Sequence, residues 1–276
     1  MTSLPAFLQE HATGDLIPWS CQVDAARLFG LTLNETEEAI LKQALLPSRY
    51  QRNRQTISTG GQLELFLSSV AVIGCGGLGG YIIEELSRLG VGRIVAIDPD
   101  VFEEHNLNRQ LLSTLSTLGL PKVEAAAERV AQINPAVKLT PIQKAYAPDN
   151  GHELLGNVTV VVDALDSIPV RLELAETCNT LGIPLVHGAI GGWYGHVATQ
   201  FPGEQSIQMI YATWTEGKGV EQRLGNPAFT PAVVASLQVA EVCKIILGEG
   251  LPLRCRQASI DLLAMEFHDI PIISEP

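Results

Sequence analysis

The sequence contains no C-x-x-C pair, and its five cysteines, Cys21, Cys75, Cys178, Cys243 and Cys255, are scattered along 276 residues. Thiols so dispersed make no disulfide framework and offer no paired ligands for a structural metal, so no zinc is expected. The N-terminus, Met1-Thr2-Ser3-Leu4-Pro5, lacks the basic and apolar regions of a secretory signal, which predicts a cytoplasmic protein. No apolar run reaches bilayer length. The longest, Pro231 to Leu247, is interrupted by Gln238, Glu241 and Lys244, so no membrane partner is expected and the run reads as a core helix capped by Thr230, opened by Pro231 and ended by Gly248. Positive charge is also short: 18 Lys and Arg against 30 Asp and Glu leave a net charge of −12. A polyanion would meet repulsion where a binder gains counterion release, so nucleic acid is not expected as a partner. No charge block or low-complexity segment divides the chain, and at 46% hydrophobic it can bury one sizeable α/β core.

The most informative stretch that is present runs from Val70 to Gly80. An apolar strand breaks into a glycine-rich turn and then a helix, which presents backbone amides to a nucleotide phosphate. Gly74, Gly76 and Gly79 fit G-x-G-x-x-G, serving the tight turn, the close approach of a phosphate and the packing of helix on strand; Gly77 lies within the same loop. The helix Tyr81 to Leu89 places Ile82, Ile83, Leu86 and Leu89 on one face and stops at Gly90, and Arg93 to Asp98 reads as the next parallel strand. Asp98 ends that strand where an acid can hold ribose hydroxyls, about 20 residues beyond the loop; the plain alternative is a turn former in Asp98-Pro99-Asp100. Asn106-Leu107-Asn108-Arg109-Gln110 and Pro121-Lys122-Val123 follow. Redox chemistry has no need of a fixed Arg and Lys here, whereas a triphosphate does, because Arg forks and Lys point charges neutralise anionic oxygens. Outside that context Arg109 and Lys122 would read as solvated surface charges.

Alternation continues with a helix from Lys122 to Ile133, strands at Val137 to Ile142 and Val158 to Val162, a helix from Pro169 to Leu181 and a strand from Leu185 to Ile190. Asp163 and Asp166 follow a strand and could both be helix N-caps. The pattern then changes to a glycine-rich, aromatic stretch from His187 to His196 and two strands with no helix between them, Val197 to Phe201 and Ile207 to Tyr211. His187 and His196 read as structural. Glycines 188, 191, 192 and 195 either serve tight turns or let an extended peptide lie against the backbone. Thr215 to Gly225 reads as a mobile crossing loop. Upstream, Val23 to Phe29 and Glu35 to Leu46 are helical patterns, the second capped by Asn34. The expected fold is α/β and Rossmann-like, a mostly parallel sheet with helices on both faces, extended by antiparallel strands and preceded by an N-terminal helical arm. Residues 1–48 form the arm and 49–276 a single domain.

In order and spacing, Arg49-Tyr50-Gln51-Arg52-Asn53, the glycine loop, Asp98-Pro99-Asp100, Asn106 to Gln110, Pro121 to Glu124, Asp163-Ala164-Leu165-Asp166 with Arg171, and Ser236-Leu237-Gln238 make the sequence resemble the activating enzymes of the E1 type, in the small bacterial form that includes ThiF, MoeB and HesA proteins. The resemblance implies an adenylation domain over 49–276 that uses ATP and Mg²⁺ to adenylate the C-terminal Gly-Gly carboxylate of a ubiquitin-like sulfur carrier protein, working as a homodimer. By the same resemblance Gly74, Gly76, Gly77, Gly79, Asp98 and Asn106 bind nucleotide, Arg109 and Lys122 hold the phosphates, Asp166 holds Mg²⁺, and Arg52 reaches the triphosphate from the partner subunit, with Arg54 its rival. Glu221 stands about where several relatives carry a conjugating cysteine, so the chain is expected to stop at the adenylate. Two other readings stay open on these motifs: a nicotinamide-dependent oxidoreductase on a Rossmann fold, and a non-catalytic scaffold that binds nucleotide and carrier without turnover.

Overall fold

The computed structural model describes residues 3–212 and 221–272. The chain begins with α1 (Leu4–His11), β1 (Leu16–Ile17), α2 (Trp19–Phe29), α3 (Leu33–Lys42) and β2 (Leu46–Pro47), with β1 and β2 paired in parallel. Leu8, Ile17, Cys21, Ala25, Ile40 and Leu45 bury one another between these elements. Both helical patterns of the arm are present, but the cap of α3 is Thr32 and not Asn34. Thr32 Oγ1 accepts the Glu35 amide at 3.1 Å while the Glu35 carboxylate accepts the Thr32 amide at 2.8 Å, a reciprocal pair that satisfies two free donors. Asn34 is used elsewhere, donating to the Ala136 carbonyl at 2.8 Å and tying the arm to the main sheet layer.

A second tie is charged. The Glu37 carboxylate, wholly buried, accepts from Tyr50 Oη at 2.6 Å, from Gln22 Nε2 at 2.9 Å and from Arg49. Asn134 completes the set by donating to Tyr50 Oη at 2.7 Å. Burial pushes the Tyr50 hydroxyl up, so it stays a neutral donor. This cluster fixes the point where the chain leaves the arm and enters the turn that carries Arg52.

The main body runs α4 (Thr59–Leu67), β3 (Ser69–Ile73), α5 (Gly77–Leu89), β4 (Arg93–Ile97), α6 (Lys122–Ile133), β5 (Lys138–Ile142), α7 (Pro148–Leu155), β6 (Val160–Asp163), α8 (Ile168–Leu181), β7 (Leu185–Gly191), β8 (Tyr194–Gln200), α9 (Ser206–Ile210), α10 (Glu221–Leu224), α11 (Phe229–Leu247), β9 (Arg256–Asp261) and β10 (Glu266–Pro271). Its strands form one sheet in the order β10-β9-β8-β7-β6-β3-β4-β5. From β7 to β5 the pairing is parallel, and β8, β9 and β10 add antiparallel strands; β8 matches the strand expected at Val197 to Phe201, whereas β9 and β10 have no counterpart among the predicted strands. The chain winds outward from β3 in both directions, which leaves a crevice beyond the carboxyl ends of β3 and β6, the place where such sheets take ligands.

Strand β3 is apolar along its length because helices cover both faces of the sheet. Val70 and Val72 pack beneath α5, α6 and α11, whereas Ala71 and Ile73 face the layer of α7, α8 and α9. Helix α11 starts two residues before the run read from the sequence and, contrary to that reading, is long and apolar enough to cross a bilayer by length and composition. Its Val234, Ala235, Val239 and Val242 are buried in the first of these layers, in keeping with a core helix.

Residues 207–211 lie in α9 and its cap, because Ile207 and Tyr211, four apart, both reach the second apolar layer and the Gln200 side chain accepts the Ile207 amide at 3.1 Å. Thr230 does not cap α11, which starts at Phe229 without a side-chain cap; its hydroxyl donates to the Gly192 carbonyl at 2.6 Å. Neither Asp163 nor Asp166 is an N-cap, since Ser167 occupies that position of α8. The expected crossing loop at 215–225 lies largely outside the described residues, and its final part, Glu221–Leu224, is helical.

Gly79 is the tightest crossing near the site: a Cβ there would stand 1.9 Å from the Gly74 carbonyl oxygen, whereas one at Gly80 would meet nothing closer than Leu112 Cγ at 3.4 Å. Gly79→Ala should therefore lower the free energy of unfolding by about 3 kcal/mol and Gly80→Ala by less than about 1 kcal/mol, measured by urea denaturation.

Candidate active site

The crevice is a cavity of about 410 Å³, within the range of small-molecule sites. Its first wall is the glycine turn. Gly74 adopts φ +96°, a conformation glycine tolerates, and a Cβ there would come within 2.6 Å of the Ala164 carbonyl oxygen. The turn is thus pressed against the segment that follows β6. Gly76 caps α5 and Gly77 opens it, and both line the cavity, so the positive end of that helix faces the space. Gly79 does not line it; its absent side chain lets helix and strand touch.

Asp98 anchors this wall from below. One carboxylate oxygen accepts the Cys75 amide at 2.7 Å and the other the Asp100 amide at 2.8 Å, while Lys122 Nζ stands 3.9 Å away. Burial raises the Asp98 pKa, and the amide donors and Lys122 act against that rise. Lys122 is itself 7% exposed and holds Asp100 at 2.9 Å. The stem of Arg109 lies beside Gly77, and its guanidinium donates to the His105 carbonyl at 3.1 Å and to Asn108 Oδ1 at 2.8 Å. Asn106 does not line the cavity. It is buried, and its carboxamide oxygen accepts the Glu103 amide at 2.9 Å, closing the short turn from which Arg109 and Gln110 project.

The opposite wall is the turn between β6 and α8. Asp166 projects there, exposed and lining the cavity. Arg171, 6% exposed, lines the same wall and donates through Nε to the Leu165 carbonyl at 3.1 Å. The two walls set Arg109 and Lys122 on the glycine side against Asp166 across the gap. Arg52 is not part of this assembly: it lies exposed on the turn after the arm, outside the lining of the cavity. Its rival Arg54 pairs with Asp15 at 2.6 Å.

Several lining residues escaped the sequence analysis. Tyr146 and Asn226 carry no motif, Gln110 lies inside one without a role of its own, and Arg171 reads equally as a groove residue or a helix-surface charge. Glycines 188 and 195 are packing positions against α11, since a Cβ at either would stand 2.4 Å from Gln238 or Val234 respectively.

Whether the cavity suits a nucleotide and a divalent cation can be judged from its donors. Gly76 and Gly77 leave open a cradle of backbone amides beside two cations, which fits a polyphosphate. Among the described residues no group of three or more His, Cys, Asp or Glu side chains is poised to hold a metal. Three aspartates line the cavity; Asp98 is engaged by two backbone amides and Asp100 by Lys122, so a cation bound here would rest on Asp166 together with ligand oxygens, the coordination Mg²⁺ favours.

A model described as the ThiF family matches residues 50–276. The chain is 35% identical over 232 residues to the SAMP-activating enzyme E1 of Haloferax volcanii, covering 83% of this chain and 86% of that one. It is 33% identical over 238 residues to the sulfur carrier protein adenylyltransferase of Thermus thermophilus, with coverages of 83% and 88%. Likewise it is 31% identical over 230 residues to the molybdopterin-synthase adenylyltransferase of Salmonella typhimurium, with coverages of 81% and 92%. Among solved structures, E. coli MccB with AMPCPP and MccA has a TM-score of 0.68 at 20% identity, covering 99% of this chain and 84% of that one. That likeness speaks to the fold.

Behind the second wall His187 is wholly buried, and burial holds its pKa below the usual histidine value of 6.5 in spite of its bond to Asp163. Asp163 is held below the usual carboxylate range because Arg171 and His187 outweigh its burial. As pH falls through 6.5 the unfolded chain binds a proton that native His187 does not, so stability falls there, while the Asp163 contribution persists until still lower pH. Melting temperatures taken at pH 7, 6 and 5 should decline for the parent protein and decline less for His187→Asn.

Proposed function

The chain belongs to the ThiF family, and from that premise we propose that it is an ATP-dependent adenylyltransferase acting on the C-terminal glycine carboxylate of a small ubiquitin-like sulfur carrier. The observation that carries the proposal is one cavity in which a glycine turn with Arg109 and Lys122 stands opposite the turn that presents Asp166. That arrangement suits nucleotidyl transfer, which asks a protein mainly for positioning and for neutralisation of phosphate charge.

In this reading the triphosphate lies over Gly76 and Gly77, where helix α5 begins, with Gly74 and Gly79 shaping the turn beneath it. Arg109 and Lys122 neutralise its oxygens; Lys122 leaves or shares Asp100 to do so. Asp98 stands where the ribose hydroxyls arrive and keeps the turn in register, and Asn106 contributes by holding the loop of Arg109. Asp166 would hold Mg²⁺, which lowers the charge on the phosphates when bound. The carrier carboxylate attacks the α-phosphorus, forming a C–O–P mixed anhydride as the bond to the β-phosphate oxygen breaks and pyrophosphate leaves. The glycine-side cations stabilise the charge that develops on the leaving group. The product is the acyl-adenylate.

The dimer completes the site. Arg52 is exposed, outside the cavity of its own subunit and free of ion pairs among the described residues, whereas Arg54 is occupied by Asp15. Arg52 is therefore the arginine offered to a partner subunit, and the arm of residues 1–48 is the element that directs it. A nicotinamide-dependent oxidoreductase is not favoured: the named relatives at 31–35% identity are activating enzymes and adenylyltransferases.

Asp166→Ala and Arg109→Ala should each reduce carrier-dependent ATP–pyrophosphate exchange about 100-fold or more, the scale of a lost charge-stabilising contact. Normal exchange in both variants would remove the site assignment, and an idle parent protein that still binds ATP would leave the scaffold reading. For the dimer, mixing inactive Arg52→Ala with inactive Asp166→Ala should restore exchange, because a mixed dimer holds one intact site; mixing Arg54→Ala with Asp166→Ala tests the rival.

A further inference from the structure

Behind the Asp166 turn lies a buried line of ionisable groups to which the adenylation reading gives no role. Asp163 ends β6 and is the register neighbour of His187 on β7, so their side chains lie side by side on one face of the sheet. Asp163 Oδ2 and His187 Nδ1 are 2.6 Å apart, and both residues are fully buried. Beyond them, His187 Nε2 lies 3.1 Å from His196 Nε2 and 3.1 Å from Tyr211 Oη, and Tyr211 Oη accepts from Arg171 at 2.8 Å. His196 is the diagonal neighbour of His187 across the β7–β8 pair, again a consequence of register.

We propose that His187 is a positioning residue that clamps the turn 164–167 and so sets the pose in which Asp166 meets a divalent cation. The adenylation reading supplies the identity of that cation.

The first Asp163 oxygen accepts the Leu165 amide at 2.9 Å, and Arg171 holds the Leu165 carbonyl, so both backbone groups of Leu165, next to Asp166, are fixed from behind. The second Asp163 oxygen has His187 as its hydrogen-bond donor, since Arg171 Nε stands 3.7 Å from it. A buried carboxylate deprived of that donor is costly to leave unpaired. It would turn toward Arg171, either releasing the Leu165 amide or drawing Arg171 off the Leu165 carbonyl. Both movements loosen the turn. A neutral imidazole suits the task, because Nδ1–H donates to Asp163 while Nε2 accepts from His196 or Tyr211. The cluster is poorly suited to a metal of its own: the Arg171 guanidinium donates to Tyr211 Oη, which puts a fixed positive charge beside the place where a cation would sit.

The test compares the parent protein with His187→Ala, His187→Gln and His187→Asn. Asparagine can place an N–H where Nδ1 stands and keep the Asp163 bond; glutamine keeps bulk and loses that bond, so it stands in if the alanine variant fails to fold. Two readouts are taken: deuterium exchange of the peptide spanning 164–167 in nucleotide-free protein, and the Mg²⁺ concentration for half-maximal binding of a fluorescent ATP analogue, set beside its metal-free affinity. For alanine and glutamine we expect faster exchange in that peptide and about 10-fold more Mg²⁺ required, with metal-free affinity unchanged, as for a lost outer-shell partner. Asparagine should resemble the parent. Parental exchange and Mg²⁺ requirement in folded His187→Gln would overturn the proposal, as would an asparagine variant as impaired as glutamine. Stoichiometric zinc or iron in the purified parent protein, lost from His187→Gln, would also overturn it, as the mark of a metal centre. Exchange is read without nucleotide, so it decides the clamp even if the parent protein binds no ATP, the result that would instead remove the adenylation reading.

Discussion

The site depends on one buried carboxylate. Asp98 accepts the amide of Cys75 from the glycine turn and the amide of Asp100 from its own loop, and it stands near the Lys122 ammonium. Three separate pieces of chain thereby share a single anion: the turn after β3, the loop after β4 and the start of α6. Burying a charge is tolerable only where it is hydrogen-bonded and paired, and here those bonds are the ones that register the phosphate-facing wall. Without Asp98 the glycine turn would keep the bond of the Gly74 amide to the Ile97 carbonyl at 2.8 Å but would lose the anchor at Cys75.

The second wall is organised by the same logic with a different partner. Asp163, buried more deeply, takes one backbone amide, one imidazole and a nearby guanidinium, and the turn it holds projects Asp166 toward the cavity. Two buried acids, each at the carboxyl end of a parallel strand, brace the two lips of the crevice from below. Backbone contact joins the lips directly, because Gly74 passes the Ala164 carbonyl with no space for a side chain. The cavity can therefore keep its shape while Arg109, Lys122 and Asp166 line it.

Much of this was legible in the sequence, for reasons that are local. The apolar run of β3, its glycines and the helix period of α5 are short-range signals, and the antiparallel extension was visible where helices ceased to alternate with strands. Arg109, Lys122 and Asp166 were legible through the family resemblance. What was missed depends on distance. Thr32 and not Asn34 caps α3 because Asn34 is drawn to Ala136, a partner about a hundred residues away that no window could reveal. Residues 207–211 alternate well enough for a strand, yet tertiary burial of Ile207 and Tyr211 in one layer favours a helical turn. Asp163 looked like a cap because its partner, His187, is brought beside it only by strand register. Asn106 carried a family motif, and its carboxamide oxygen accepts the Glu103 amide, a local bond across three residues that shapes the Arg109 loop.

The central claim is that the crevice between the two turns grips a triphosphate for attack by a carboxylate. A crystal structure with a non-hydrolysable ATP analogue tests it most directly. The account predicts phosphates over Gly76 and Gly77, Lys122 drawn from Asp100 toward them, and Asp166 facing them across the gap. Adenosine bound outside this crevice, or phosphates out of reach of both Arg109 and Lys122, would contradict it.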